Sequence, residues 1–258
     1  MRTVLSMRRF RSALVLVAAC GALPGFGLRP IDRAERPLSQ AERIVAGLEA
    51  TSARDARLVE SFTTNKTFTV VHDGQTNAQV VAALHFTAPD VKVFTVLESR
   101  GSDFIRTSVI NRMMAAEIEA ARNGSRTRIA ISSDNYEFGS VRDDGDAFAI
   151  ETVPRRQDEL LFKGRVWITK DGSHLKRIEG EPAKNPSFWT RRIRFVSDFE
   201  PVNGVWVQVR TLARVTVRWR GEYNLQSECG PYRMSLAADA PTSRSPREML
   251  SLWPWRQR

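Results

Sequence analysis

The residues that could do chemistry in this sequence are few, and their spacing matches no catalytic motif. It has three histidines, His72, His85 and His174, and no two of them stand in a spacing typical of zinc ligands. No Walker loop and no GxSxG, HExxH or GxGxxG sequence occurs. We therefore expect no catalytic residues, no metal and no organic cofactor, and the chain is predicted not to be an enzyme.

Two acidic patterns could suggest sites, but structural explanations are favoured for both. The segment 143–146 (Asp-Asp-Gly-Asp) has calcium-ligand residue types, yet it lacks the rest of a twelve-residue loop and stands where a hairpin turn is needed. Glu179 and Glu181 share one strand face, as glycosidase carboxylates can. A solvated strand edge, or an ion pair of this edge with Lys184, is the favoured explanation.

Basic residues outnumber acidic ones, 39 to 29, for a net charge of +10. The segment 189–195 alternates aromatic residues with Arg191, Arg192 and Arg194, as a platform for single-stranded nucleic acid could. The charges are spread along predicted strands and form no Lys/Arg run, so nucleic acid is not expected as a partner. Solvated arginines are favoured, and contact with anionic phospholipid or with a charged flank of a lipoprotein is the alternative.

The first 27 residues are predicted to be an export signal peptide. Arg8, Arg9 and Arg11 form a basic region, residues 13–19 are apolar, and a stretch rich in small residues follows. Cys20 follows Val-Ala-Ala, as in a bacterial lipobox, so this cysteine is a candidate for lipidation. We expect a periplasmic protein whose remaining cysteine, Cys229, has no disulfide partner within the mature chain.

The hydrophobic pattern after this signal predicts one helix, then mostly strands. Residues 28–38 are predicted to be a spacer, and Ser39 and Glu42 stand in capping-box order at the start of a helix that could break near residues 51 and 52. A second helix is predicted over 110–122, with Asn123-Gly124 as its stop signal. Strands are predicted at 62–71, 78–87, 91–99, 104–107, 136–142, 146–152, 160–169, 174–181, 189–199, 204–220 and 222–233. Residues 237–258 are predicted to be disordered.

Two helices are few to cover a sheet of ten or eleven strands, and such a sheet must curl. We therefore expect part of its apolar face to border a cavity that admits hydrocarbon, although a fully packed sandwich has the same periodicity. The residues predicted to line this cavity are Leu84, Phe86, Phe94, Val96, Val166, Ile168, Ile193, Phe195 and Val207. Phe188, after two prolines, is predicted to gate its mouth, and Met113 and Met114 could adapt to a flexible ligand.

One block of sequence resembles a known family. Phe162-Lys163-Gly164-Arg165-Val166-Trp167-Ile168, the segment 177–189 and Gly204-Val205-Trp206-Val207 resemble the LolA/LolB-like superfamily of outer-membrane lipoprotein-sorting proteins. The similarity spans about residues 40–233. It implies a mainly antiparallel β (α+β) fold, a curved half-barrel sheet with two or three helices as a lid, occupying residues 39–236.

The resemblance also implies a function. Members of the superfamily carry or receive lipoprotein acyl chains without a cofactor, so we expect a monomeric periplasmic carrier or receptor for lipoprotein acyl chains or phospholipid. It could also meet an envelope membrane surface or lipoprotein-transport partners. Family members place an arginine against the lid, and Arg100, Arg106, Arg165 and Arg177 are candidates here. The alternatives are an envelope interaction or stress-signalling module with no cargo and, third, a lipid-modifying enzyme.

Overall fold

A computed structural model of the chain describes residues 37–185 and 188–237. The predicted export signal and nearly all of the predicted spacer and tail lie outside these residues. The first element, α1 (Gln40–Leu58), begins at Ser39, whose side chain and that of Glu42 form the predicted capping box. The expected break near residues 51 and 52 is wrong. The helix is continuous because its stripe of Ala41, Val45 and Leu48 is buried, and such packing outweighs the weak helix preference of Thr and Ser.

Eleven antiparallel strands form one sheet, which confirms the predicted mainly β fold. Ten of them follow the order β3-β2-β1-β10-β9-β8-β7-β6-β5-β4, and β11 pairs with β1. Their bounds are β1 Val59–His72, β2 Gln75–Thr87, β3 Val91–Gly101, β4 Tyr136–Asp144, β5 Ala147–Pro154, β6 Phe162–Thr169, β7 Leu175–Pro182, β8 Thr190–Val202, β9 Val205–Val217, β10 Gly221–Cys229 and β11 Arg233–Leu236.

The sheet is strongly curved and remains open. The helix α1 contacts both β1 and β4, which are seven steps apart in the strand order. In a flat sheet these strands would be about 34 Å apart, which is more than the ~28 Å length of the helix. The sheet therefore curls around α1 and has an inner face, turned towards the helices, and an outer face. The strands β3 and β4 are its edges.

A second helical unit covers the inner face beside the β3 edge. It consists of α2 (Asp103–Ile105), a π-helical turn (Arg106–Ile110) and α3 (Asn111–Ala121), and we call residues 103–121 the lid. The prediction of a strand at 104–107 is wrong because the Ser102 hydroxyl accepts a hydrogen bond from the Ile105 amide and starts a helix. The predicted stop at residues 123 and 124 is also only partly right. Here α3 ends at Ala121, but α4 (Asn123–Ile129) follows at once.

The buried apolar side chains form two clusters. The larger one joins strand residues such as Phe68, Ile178 and Ile193 to side chains of α1 and the lid. The smaller one surrounds Val59 and Phe86 and receives apolar side chains from β9 and β11. No helix in the described parts of the chain has the length and apolarity needed to cross a bilayer.

Two glycines face each other across β6 and β7 and allow a close approach of these strands. Gly164 pairs with Gly180, and a Cβ atom on Gly164 would lie 2.0 Å from the carbonyl oxygen of Glu179. On the same face the rings of Phe162 and Phe195 meet edge to face at 5.9 Å. The glycine pair therefore fixes the strand spacing beneath an aromatic contact of the core.

Replacing Gly164 by alanine should lower the free energy of unfolding by about 3 kcal/mol, because the backbone of β7 would have to move away. Chemical denaturation measures this change. Gly139→Ala is the matched control, since its Cβ would meet no atom closer than 3.3 Å, that of the Glu151 side chain. Equal stability of the two variants would contradict the close approach of β6 and β7.

Candidate functional site

The candidate site is the junction of the lid with the inner face. The lid contacts β2 and β3, and it buries Ile110, Met113 and Met114 in the larger apolar cluster. Its π-helical turn lies beside β3, where the guanidinium of Arg106 donates to the Ser99 hydroxyl at 2.7 Å. π-helical turns are rare in proteins, and those that occur are frequently found at functional sites.

One buried cluster of charges ties α3 to the sheet. The Glu117 carboxylate accepts hydrogen bonds from Lys66 Nζ on β1 at 2.6 Å and from Lys92 Nζ on β3 at 3.4 Å. Lys66 is 2% exposed and Glu117 is 6% exposed. A charge this deeply buried requires a partner, so the position of Glu117 on the lid fixes where α3 can lie.

The attraction between these charges affects their pKa values more strongly than burial does. Burial alone would raise the pKa of Glu117, but the two ammonium groups lower it below its ordinary value. Burial alone would lower the pKa of Lys66, and the Glu117 carboxylate raises it instead. Both groups therefore stay charged at neutral pH, and the junction is an ion pair.

Most residues predicted to line a cavity are packed into the core. Val166 and Ile168 have no exposed surface, while Ile193 and Phe195 are 1% and 3% exposed. These four belong to the larger cluster together with Met113 and Met114. Side chains of the protein thus occupy the space that a ligand would need there. A ligand could enter only if the lid moved.

The remaining predicted residues lie in three other places. Phe86 and Val207 belong to the smaller cluster, and Leu84 is buried on β2. On β3, Phe94 is half-buried and Val96 is 50% exposed. Phe188 lies far from the lid in sequence and is 68% exposed in the β7–β8 loop.

An apolar row leads from the open edge to the space beneath the lid. Val96 and Phe94 lie on the same face of β3, opposite Ala82 and Leu84 of β2. The ring of Phe94 then meets that of Phe68, which has no exposed surface, at 5.9 Å. Val96, Phe94 and Phe68 thus connect solvent to the core across three strands, and we call them the entry row.

Two grooves lie elsewhere. One of about 1020 Å³ opens on the outer face, where exposed charged side chains such as Arg165, Glu179 and Arg194 surround Val196 and Leu212. Another of about 910 Å³ lies near Trp167 and Asp198. Of the residues predicted to line an apolar cavity, Phe195 alone is in contact with either of these two grooves.

Ion pairs place several predicted residues on the outer face. Glu181 pairs with Arg192 and Arg194, whereas Lys184 approaches Glu159 at 3.8 Å. The predicted pairing of this edge with Lys184 is therefore wrong, because the arginines of the neighbouring strand are closer. Of the arginine candidates for the lid contact, Arg165 pairs with Glu151 and Arg177 with Asp198. Arg100 pairs with Glu98 on its own strand, and Arg106 belongs to the lid itself.

The histidines have structural contacts. His72 stacks on Tyr223 with ring centres 4.1 Å apart, and His85 contacts the Thr87 hydroxyl at 3.0 Å. His174 is half-buried and stacks on Trp206. Ser173 lies 2.7 Å from His174, although the nearest acid, Asp55, is 3.9 Å away and too distant for a hydrogen bond. No metal-ligand cluster of His, Cys, Asp and Glu occurs in the part of the chain that the structure describes.

Sequence reasoning missed the three charged residues of the lid junction, although a signal for two of them was present. Lys66 lies between Thr64 and Phe68 on the buried side of an alternating strand, and Glu117 follows Met113 and Met114 on the buried face of α3. A lysine and a glutamate on apolar faces of different elements are what a buried ion pair requires.

Comparison with known proteins gives fold-level similarity. The chain matches no protein-family model and no curated protein. Similar solved structures include a DUF1329 family protein from Desulfovibrio piger, with 11% identity, a TM-score of 0.41 and coverage of 76% of this chain and 94% of that one. An outer membrane lipoprotein-sorting protein domain from Vibrio parahaemolyticus has 10% identity, a TM-score of 0.40 and coverage of 81% and 97%. A LolA superfamily protein from Nitrosomonas europaea has 10% identity, a TM-score of 0.34 and coverage of 76% and 94%.

The superfamily that the sequence resembles is thus also found among similar structures. Identities of 10–11% and TM-scores of 0.34–0.41 carry no inference about ligand or activity. The function must therefore be argued from the residues of this chain.

Replacing Glu117 by glutamine should lower the free energy of unfolding by about 3–5 kcal/mol, because Lys66 would stay buried without its counter-charge. Urea denaturation measures the change. Glu119→Gln is the matched control on the same helix, since the exposed pair of Glu119 with Arg122 contributes less than about 1 kcal/mol. A loss shared equally by both variants would rule out a special role for the buried pair.

The stability difference between the parent and Glu117→Gln should also depend on pH. The pKa of Glu117 is lowered in the folded protein from its ordinary value of 4.5. The contribution of Glu117 to stability is therefore complete above this value and is lost as the pH falls through the folded pKa. Denaturation midpoints between pH 7 and pH 3 should therefore converge on the acid side. A constant difference over this range would refute the ion pair.

Proposed function

We propose that this protein is a non-enzymatic periplasmic carrier or receptor that holds lipoprotein acyl chains, or another lipid, between the sheet and the lid. The entry row is the observation that carries the proposal. It offers an apolar path from half-exposed Val96 to fully buried Phe68, at the β3 edge of the sheet that the described residues form. An acyl chain suits this path because it is narrow, flexible and apolar, and needs no polar partner.

Binding requires the lid to move, because the core is filled in the closed arrangement. The side chains that would leave the core are those of Ile110, Met113 and Met114, and exposing each costs roughly 2 kcal/mol. An acyl chain of about 16 carbons gains roughly 12 kcal/mol when it is buried, at about 0.8 kcal/mol per methylene. Burial of the acyl chain therefore gains more than exposure of the three side chains costs, and the two unbranched methionines could repack around the ligand.

The predicted export of the protein supports a lipid cargo. The basic and apolar segments before residue 28 predict export, and a lipid that crosses an aqueous compartment needs an apolar shelter. No ligand-specific polar group is required by this mechanism. We therefore assign the class of ligand, a lipid with at least one acyl chain, and propose lipoprotein acyl chains as its members.

A second candidate function is an envelope interaction or stress-signalling module that carries no cargo. The near-zero exposure of Val166, Ile168 and Ile193 favours it, since a permanently filled core has the same packing. Native mass spectrometry of the purified protein separates the two. Co-purified lipid supports the carrier, and a protein that stays empty after incubation with lipid supports the interaction module.

Val96→Asp should weaken binding of a fluorescent sixteen-carbon fatty acid about 30-fold, because burial of a valine against the ligand contributes about 2 kcal/mol. Val96 suits this test since it is half-exposed, whereas an aspartate at buried Ile193 would disrupt folding. Fluorescence titration measures the affinity.

Val153→Asp is the matched control for this variant. Val153 is 45% exposed on the other edge hairpin and lines the groove on the outer face. We expect it to bind the fatty acid as the parent does. If Val153→Asp were impaired and Val96→Asp were not, the ligand would occupy the outer groove, and the entry row would have no role.

A further inference from the structure

Two loops at one end of the sheet bring exposed aromatic side chains together. Phe188 and Trp189 lie in the β7–β8 loop, and Trp219 lies in the β9–β10 turn. They are 68%, 42% and 81% exposed. We call these three residues, with Arg218 and Arg220 of the same turn, the aromatic tip. A soluble surface rarely leaves large aromatic side chains clustered in water unless they contact a partner.

The aromatic tip is held in place by specific contacts. The Arg218 amide donates to the Trp189 carbonyl at 2.9 Å and joins the two loops. The ring centres of Trp189 and Trp219 are 5.7 Å apart, and those of Phe188 and Trp189 are 5.6 Å apart. The guanidinium of Arg218 lies 4.6 Å from the Phe188 ring centre. The tip is thus an ordered surface.

The backbone at Trp219 is strained. Its φ is +60°, in the left-handed region that bulky side chains rarely adopt, and Gly221 beside it has a φ of +80°. Glycine or asparagine would fit this turn position at lower cost. A tryptophan there reduces the stability of the turn. Its ring contact with Trp189 leaves the indole 81% exposed, so most of the ring is available to a partner outside the folded chain.

The aromatic tip carries basic side chains. Arg218 lies against the Phe188 ring, and Arg191 and Arg220 are close in sequence to Trp189 and Trp219. Within the described residues none of these three arginines forms an ion pair with a carboxylate. Tryptophan and phenylalanine favour the boundary between water and the bilayer, and arginine can keep its guanidinium at the phosphates while its stem lies lower. Exposed aromatic rings with neighbouring arginines are therefore complementary to an anionic phospholipid surface.

We propose that the aromatic tip docks this protein onto the surface of an anionic phospholipid bilayer. Trp219 and Phe188 enter the interfacial layer, and Arg218 and Arg220 contact lipid phosphates. The site is separate from the entry row, which lies on β1 to β3, so docking does not depend on the proposed acyl binding beneath the lid. Docking of this kind does not require a membrane-spanning helix.

Single-stranded nucleic acid fits the tip less well. Stacked bases need open, parallel ring faces along a groove. Here the rings meet at interplanar angles of 81° and 67°, and Arg218 covers one face of Phe188. The tip is a projecting surface at loop ends, which suits insertion into a plane.

The decisive variant is Trp219→Gly. Glycine relieves the strain at φ +60°, so the urea midpoint should stay the same or rise, yet vesicle binding should fall at least tenfold. Co-sedimentation of the full chain with vesicles of phosphatidylglycerol and phosphatidylcholine measures binding, with pure phosphatidylcholine vesicles for comparison. The double variant Arg218→Gln with Arg220→Gln should bind anionic vesicles about 25-fold more weakly, which is about fivefold per charge. Raised salt should also weaken the binding of the parent to these vesicles, because it screens the same charges.

Val91→Ser with Val93→Ser is the matched control, because these residues are 52% and 47% exposed on the β3 edge. We expect this double variant to bind vesicles as the parent does, and Val96→Asp to bind them normally whatever its fatty acid affinity. The proposal is overturned if the parent does not prefer anionic vesicles or if Trp219→Gly binds them unchanged. It is also overturned if a single-stranded oligonucleotide binds the tip more tightly than vesicles do.

Discussion

The buried pair of Lys66 and Glu117 is the constraint on which the arrangement of the lid depends. Two opposite charges with almost no exposure must stay together, so α3 can occupy one place on the sheet. Lys92 adds a third charge from the edge strand. Apolar packing alone would let a helix slide on a hydrophobic sheet, since such contacts have little direction. The ion pair supplies the direction, and it joins the first strand of the sheet to the lid.

Polar groups continue across the inner face beyond this pair. The hydroxyls of Ser197 and Thr211 bond at 2.9 Å, and Ser227 stands opposite Thr211 on the next strand. All three are buried and belong to neither apolar cluster. Small hydroxyl side chains of this kind can satisfy one another without charge. Val207 does not share a cluster with Ile193 because the register of β8 and β9 shifts after Asp198, so that Val207 stands opposite Glu200 and not opposite Phe199.

The sheet could be predicted from sequence because its signals are local. Alternation of period two and turns such as Asp144-Gly145 and Asn203-Gly204 define each hairpin, and both glycines have the positive φ that these turns need. The lid junction could not be predicted in this way, because Lys66 and Glu117 are 51 residues apart and each is a charged residue on the apolar face of its own element. The aromatic tip was equally hidden. Phe188 and Trp219 lie in different loops, and only the pairing of β8 with β9 brings them together.

The unequal strength of its contacts determines how the lid can open. Near its start the lid is held by the hydrogen bond from Arg106 to Ser99, about 1 kcal/mol, and by buried Ile110, roughly 2 kcal/mol. Towards its end it is held by Glu117, where separating the charges costs about 3–5 kcal/mol, and by buried Met113 and Met114. A movement that lifts α2 and the π-helical turn while Glu117 stays paired therefore costs least. That movement uncovers Val96 and Phe94, which lie between these two attachments on β3, so the weaker end of the lid is also the end at which an acyl chain would enter.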